Sequence, residues 1–142
     1  MTIRPIRVDD RERWEPLWHG YLDFYRAVLT PEVTERTWAA LCDPTSAVHG
    51  LVAEQEDHLA GLAHLGLHPT TRATHPTCYL EDLYVATQWR GGDVAHRLIE
   101  AASAVPREIV QQAQRRYTTN DVRWAKASYK GACRGVVLLV SQ

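Results

Sequence analysis

Two adjacent glycines, Gly91 and Gly92, stand between a segment rich in aromatic and branched residues and a run with helical apolar spacing. A strand that ends in a glycine turn and feeds a helix presents that helix's first amides, which have no partner inside it, at the positive end of the dipole. The chemistry favoured there is binding of a phosphate or pyrophosphate. The same pair also suits a tight turn in which glycine allows close packing. His64, His68 and His75 are a second group of chemically able side chains. On a strand, His64 and His68 share a face but stand ~13 Å apart at 3.3 Å per residue, too far to share an ion. No metal is expected, and these histidines are read as lining a cleft or lying on the surface. Cys42, Cys78 and Cys133 are odd in number and widely spaced. That argues against a disulfide framework or a zinc site and for buried or idle thiols.

The elements that must position the glycine turn follow from periodicity. Residues 2–8 read as a short edge strand, because Pro5 is tolerated only at an edge. Asp9 with Glu12 fits a capping box. The helix behind it carries Trp14, Leu17, Trp18, Tyr21, Leu22, Tyr25, Val28 and Leu29 at spacings of 3 and 4. Pro16 inside that pattern predicts a kink or a later start. Thr30 as cap and Pro31 at the first helical position open a second helix to about Leu41, ended by Asp43-Pro44. Residues 49–54 and 59–68 read as a hairpin around Gln55-Glu56-Asp57, and residues 69–76 as a loop. Residues 78–86 are the clearest strand. After Trp89-Arg90-Gly91-Gly92 a helix carries Val94, Ala95, Leu98, Ile99 and Ala102 on one face and ends near Pro106. Trp14, Trp18 and Trp38 are assigned to the core, and Trp89 to the surface beside the turn. Beyond Pro106, a helix over 124–131 and a short strand over 136–140 are expected. The fold class is α/β (α+β), with a mainly antiparallel sheet flanked by helices.

A chain of 142 residues is one domain by length, residues 1–142, and 45% apolar with 23% charged residues excludes disorder as a whole-chain reading. No stretch reaches the ~18 apolar residues of a membrane span, and the N-terminus lacks the apolar run of a signal peptide. A cytoplasmic protein with no membrane partner is expected. Net charge is −1, but residues 1–106 hold 9 basic and 15 acidic side chains (net −6), whereas residues 107–142 hold 7 and 2 (net +5). The basic residues of that tail are spread out, with few aromatics between them and no docking motif, so no nucleic acid is expected.

The run Tyr79-Leu80-Glu81-Asp82-Leu83-Tyr84-Val85, then Gln88-Trp89-Arg90-Gly91-Gly92-Asp93-Val94-Ala95, then Leu98-Ile99, resembles the acetyl-CoA motif of the GCN5-related N-acetyltransferases (GNAT superfamily). The Leu-Glu-Asp start is similar to polyamine-type members. The resemblance covers about 100 residues and implies that fold, with a mixed, mainly antiparallel twisted sheet. It implies acetyl-CoA as co-substrate and a primary amine of a small molecule or peptide as acceptor. Backbone groups of Leu83, Tyr84 and Val85 would pair with the pantetheine arm in the V between splayed strands. Arg90, Gly91, Gly92, Asp93, Val94 and Ala95 would wrap the pyrophosphate. Glu81 would match the general base and Tyr129 the proton donor to the leaving thiolate, with Asn120 a weaker match to an asparagine preceding that tyrosine. The chemistry asks for such groups, since an alkylamine is almost wholly protonated at pH 7 and must lose a proton before attack. Glu81 and Asp82, adjacent on a strand, are expected on opposite faces.

Two departures from the family pattern support a competing reading, a non-catalytic module of the same fold with a weakened acetyl-CoA site. Asp93 stands where glycine is usual. A like charge at about 4 Å from the pyrophosphate costs ~1–4 kcal/mol, roughly 5- to 1,000-fold in affinity. Residues 107–116 are polar where a long apolar strand is usual, with only Ile109 and Val110 as a branched pair, so the last third of the chain is expected to have diverged. Sheet exchange through the last strand offers a route to a homodimer.

Overall fold

A computed structural model describes residues 1–69, 71, 77–113, 122–123 and 132–140. Its elements are β1 (Thr2–Pro5), a 3-10 turn (Val8–Asp10), α1 (Arg11–Phe24), α2 (Pro31–Cys42), β2 (Val48–Gln55), β3 (His58–His68), β4 (Thr77–Val85), a 3-10 turn (Thr87–Trp89), α3 (Val94–Ala113), β5 (Val122–Arg123) and β6 (Ala132–Val140). The strands form one six-stranded sheet in the order β1-β2-β3-β4-β6-β5. All five pairings are antiparallel. Pro5 lies in β1 at the sheet's edge, where its missing N–H costs no ladder bond.

Alternation along the strands builds two cores. On one face Leu51, Ala53, Ala63, Leu65, Leu83 and Val85 pack under Val94, Ala95, Leu98 and Ala102 of α3. On the other, Val52, Leu62 and Tyr84 meet Trp14, Leu17, Trp18, Tyr21 and Leu22 of α1 and Leu41 of α2. The expected stripe on the first helix stops short. The chain turns at Arg26 (φ 52°), the Ala27 N–H bonds to the Leu22 carbonyl and the Arg26 N–H to that of Asp23, and Val28 is left exposed. This is a Schellman ending with arginine in the place glycine prefers. Pro16 delays nothing, since the helix starts at Arg11. Gly20 is required on this face, because a Cβ there would stand 2.5 Å from the Tyr84 hydroxyl and 2.7 Å from the ring.

The helix start differs from the expected Asp9–Glu12 box. Asp10 accepts from the Arg7 backbone N–H (2.8 Å) and is buried under Arg4, which donates to both its oxygens at 2.7 and 2.8 Å. Arg4 also bonds both oxygens of Glu54 on β2, and Arg13 of α1 reaches Asp10 and Glu54. Four side chains thus lock β1, β2 and the start of α1 together. The Arg4 guanidinium holds the Asp10 and Glu54 carboxyls down to about 2.

The C-terminal part corrects two expectations. Helix α3 does not end near Pro106 but runs to Ala113, so Ile109 and Val110 lie in a helix. Pro106 removes one i→i−4 bond, yet Glu108, Gln111, Gln112 and Ala113 are strong helix formers on its far side. Strand β6 begins at Ala132, four residues before the expected strand, and lies between β4 and the two-residue β5, which pairs with Leu139 and Val140. The expected helix over 124–131 lies outside the described residues. Trp89, expected at the surface, is half-buried against the α3 core. Burial raises the Cys78 thiol to about 12, in keeping with an inert core residue. Among the described residues no helix is long and apolar enough to cross a membrane.

Replacing Arg4 with Met should cost about 3–5 kcal/mol, because it strips a buried carboxylate of its main partner. Urea unfolding at pH 7 measures this. Asp10 falls from 3.8 to about 2 on folding. Its contribution is therefore full above the unfolded value and lost as pH drops through about 2. The loss between pH 4 and 2 should be smaller in Arg4→Met, as followed by urea midpoints.

Candidate functional site

The site is set by a register slip in β4. His64 of β3 pairs with Asp82, but the next residue, Leu65, pairs with Leu80, so Glu81 is an extra residue in β4. A bulge of this kind puts two residues opposite one and bends the strand. Leu80 and Leu83, three apart, both pack on the α3 face. Glu81 and Asp82 between them both line a cavity of about 450 Å³ on the opposite face. The expectation that these carboxylates face opposite sides holds for a regular strand and fails at a bulge.

Helix α2 supplies the far wall through Val33, Arg36, Thr37 and Ala40, at helical spacing, and α1 contributes Trp18. His64 closes the floor at 1% exposure. Its Nδ1 lies 2.9 Å from Asp82 Oδ2, and its Nε2 accepts from the Trp14 indole N–H at 3.0 Å. The rings of Trp14 and Trp18 lie 5.9 and 5.2 Å from the imidazole. Glu81 is half-buried. Its carboxylate lies over Gly66, where a Cβ would stand 2.9 Å from Oε1. His68, four residues along β3, is exposed and edge-on to Tyr79. Trp14 and His64 joining Asp82 was not foreseen. The signal was present in the helical stripe of Trp14 and Trp18 and in the parity of His64, but the pairing that joins them is not local.

The glycine turn lies past the end of β4. Gly91 adopts φ +84°, and a Cβ there would meet nothing within 4 Å. Glycine is therefore kept at this position by backbone conformation and not by crowding. Gly92 and Asp93 are exposed, and Val94 and Ala95 are buried on the sheet. The Arg97 N–H bonds to the Asp93 carbonyl, so the amides of Val94, Ala95 and His96 precede the first helical bond and are available to an anion. Arg90 departs from its expected place. Its own N–H bonds to the Thr87 carbonyl, its Nε donates to the Val85 carbonyl at 2.9 Å, and its guanidinium lies 5.3 Å from the Tyr84 ring. The Arg90 N–H is therefore not free for an anion.

The backbone edge expected to receive a pantetheine arm is largely taken. Leu83 pairs with Cys133 and Tyr84 with Ala132 of β6, while the Val85 carbonyl is held by Arg90. In place of an open V, an antiparallel strand lies against β4 at Leu83 and Tyr84. Tyr129 and Asn120 lie outside the described residues. Among the described residues no three His, Cys, Asp or Glu side chains gather as a metal site would need.

The sequence profile of the acetyltransferase (GNAT) family matches residues 14–133, from α1 into β6. The chain belongs to this family. This GNAT chain is 33% identical over 102 residues to a D-amino-acid N-acetyltransferase of Saccharomyces cerevisiae, a match that takes in 70% of the chain and 63% of that protein. It thus spans less than two thirds of that relative's length. A crystal structure of a probable acetyltransferase shares the fold with a TM-score of 0.66 at 24% identity, over 76% of this chain and 73% of that one. AAC(6')-Iy, solved with a bisubstrate analogue of CoA and acetylneamine, gives 0.61 at 15% identity over 89% and 98%.

Gly91→Ala should destabilise this GNAT chain by about 1 kcal/mol, since φ near +84° is costly for any residue with a Cβ. Gly92→Ala, with negative φ and open space, should cost clearly less. Paired urea titrations compare the two.

Proposed function

We propose that this chain transfers an acetyl group from acetyl-CoA to a primary amine of a small molecule or peptide. The observation that carries the reading is the bulge, which directs Glu81 and Asp82 into one cavity while β4 runs on to the exposed amides after Gly91. Glu81 takes a proton from the ammonium form of the acceptor. The freed nitrogen lone pair attacks the thioester carbonyl, the C–S bond breaks, the thiolate leaves with a proton supplied by Tyr129, and the second proton lost by the nitrogen returns the phenolate to a phenol. The products are the amide and free coenzyme A. Asn120 is assigned to the cofactor side with the amides of Gly91 to Ala95. Placing these groups is what the fold contributes, since proximity and a positioned base lower the barrier without new chemistry.

The yeast relative makes D-amino acids the first acceptors to test, ahead of polyamines. Arg36, across the cavity from the carboxylates, is a cation suited to an acceptor's carboxylate. The net −6 of residues 1–106 favours approach of a positively charged acceptor.

A second reading, a binding module of the same fold that has lost the reaction, is favoured by one observation. β6 pairs with β4 at Leu83 and Tyr84, where the pantetheine arm would bond. Calorimetric titration with acetyl-CoA separates the readings. Micromolar binding supports the enzyme, and no binding near millimolar supports the module. Asp93 is exposed, so its repulsion falls at the water-screened end of the range, about 1 kcal/mol. Asp93→Gly should therefore tighten acetyl-CoA by only about 5-fold. Glu81→Gln should lower kcat for D-amino-acid acetylation by about 100-fold or more, with little change in the affinity for acetyl-CoA.

A further inference from the structure

The two carboxylates of the cavity are not equivalent. Glu81 has no ion pair or hydrogen bond among the described residues, whereas Asp82 is tied through Oδ2 to His64 at 2.9 Å. An indole N–H can only donate, so the 3.0 Å contact from Trp14 fixes Nε2 of His64 as an acceptor. The ring proton then belongs on Nδ1, where it points at Asp82. A second proton on the imidazole would set an N–H against the Trp14 N–H in a pocket closed by Trp14 and Trp18. The charge of the pair therefore stays on Asp82, whose Oδ2 is the oxygen that His64 holds. Among the described side chains, the charged ones lining the same cavity are Glu81 on β4 and Arg36 on α2. Arg134 is the β6 residue paired with Asp82 in the strand register, and Arg11 of α1 lies 5.6 Å from the Trp14 ring.

We propose that Asp82 is the fixed anchor for the acceptor's ammonium group, and that Trp14 and His64 are positioning residues that hold it charged and oriented. Glu81 is then left free to gain the proton. This deepens the acetyltransferase reading, on which its catalytic part rests. It divides labour by hydrogen bonding, with the bonded carboxylate binding the cation and the unbonded one changing protonation. It also makes the acceptor a cation when it enters the cavity and a neutral amine only once placed beside Glu81.

The test uses the full chain with nitrogen-15 histidine. His64 should show the neutral Nδ1–H tautomer by NMR at pH 7, and an Nε2–H tautomer or an imidazolium would overturn the lock. n-Butylammonium chloride should shift the His64 Nδ1 signal in the parent and not in Asp82→Asn. No shift in the parent would overturn the anchor, whether or not the chain acetylates anything. In acetylation assays His64→Leu should raise KM for the amine about 10–100-fold. It should leave KM for acetyl-CoA unchanged. His64→Asn, which keeps an N–H near the Nδ1 position, should stay within about 3-fold of the parent. Equal losses in the two variants, at matched melting temperatures, would overturn the positioning role. A parent with no acetylation but with the tautomer and the ammonium shift would refute the enzymatic reading alone.

Discussion

Between Leu80 and Leu83, strand β4 carries one residue more than β3 can pair, and the arrangement of the cavity depends on that mismatch. Without it, Glu81 would point into the α3 core and only Asp82 would face α1. With it, both hydrophobic neighbours stay in the same core while both carboxylates turn the other way. The slip is held by apolar burial on either side. Leu80 and Leu83 are fully buried, and restoring a regular register would bring one of them to the polar face. Exposing a buried leucine costs roughly 1.5–3 kcal/mol, enough to fix the register firmly.

The aromatic face of α1 converts this geometry into a polar site. Trp14, Trp18 and Tyr21 are core residues by burial; Trp14 and Trp18 also form the walls around His64, with Tyr21 stacked on Trp18. A buried imidazole with both nitrogens satisfied carries no desolvation debt. It can thus hold Asp82 at the cavity floor at little cost in stability. The start of α1 is itself fixed by Arg4 and Asp10, so the ion network at the sheet edge helps orient the helix that carries Trp14.

The two ends of the proposed acetyl-CoA path are differently prepared. The Gly91 turn is open, and the amides behind it are unspent. The edge of β4 is paired with β6 at Leu83 and Tyr84, and Arg90 covers the last carbonyl. A thioester carrier that followed β4 would replace strand-to-strand hydrogen bonds with its own amide bonds. The exchange is near neutral in hydrogen bonding but requires β6 to yield.

Much of this was legible in the residues. Alternation and helical spacing fixed the order of elements from β1 to the start of α3, because burial on one face leaves a period that can be read locally. The turn at Gly91 was marked by residue type, since its positive φ suits glycine. What local reading missed has separate origins. The end of α1 at Arg26 is a local hydrogen-bonded turn without its usual glycine, and α3 continues past Pro106 on the helix formers beyond it. The sharing of one face by Glu81 and Asp82, in contrast, is decided by pairing with β3, distant in the chain. The residues alone determined that β4 carries two acidic side chains next to each other and leads into an anion-favouring turn. Only the tertiary structure decided that both face one cavity and that His64, itself held by Trp14, binds one of them, because strand register is set by which side chains the opposing layers bury.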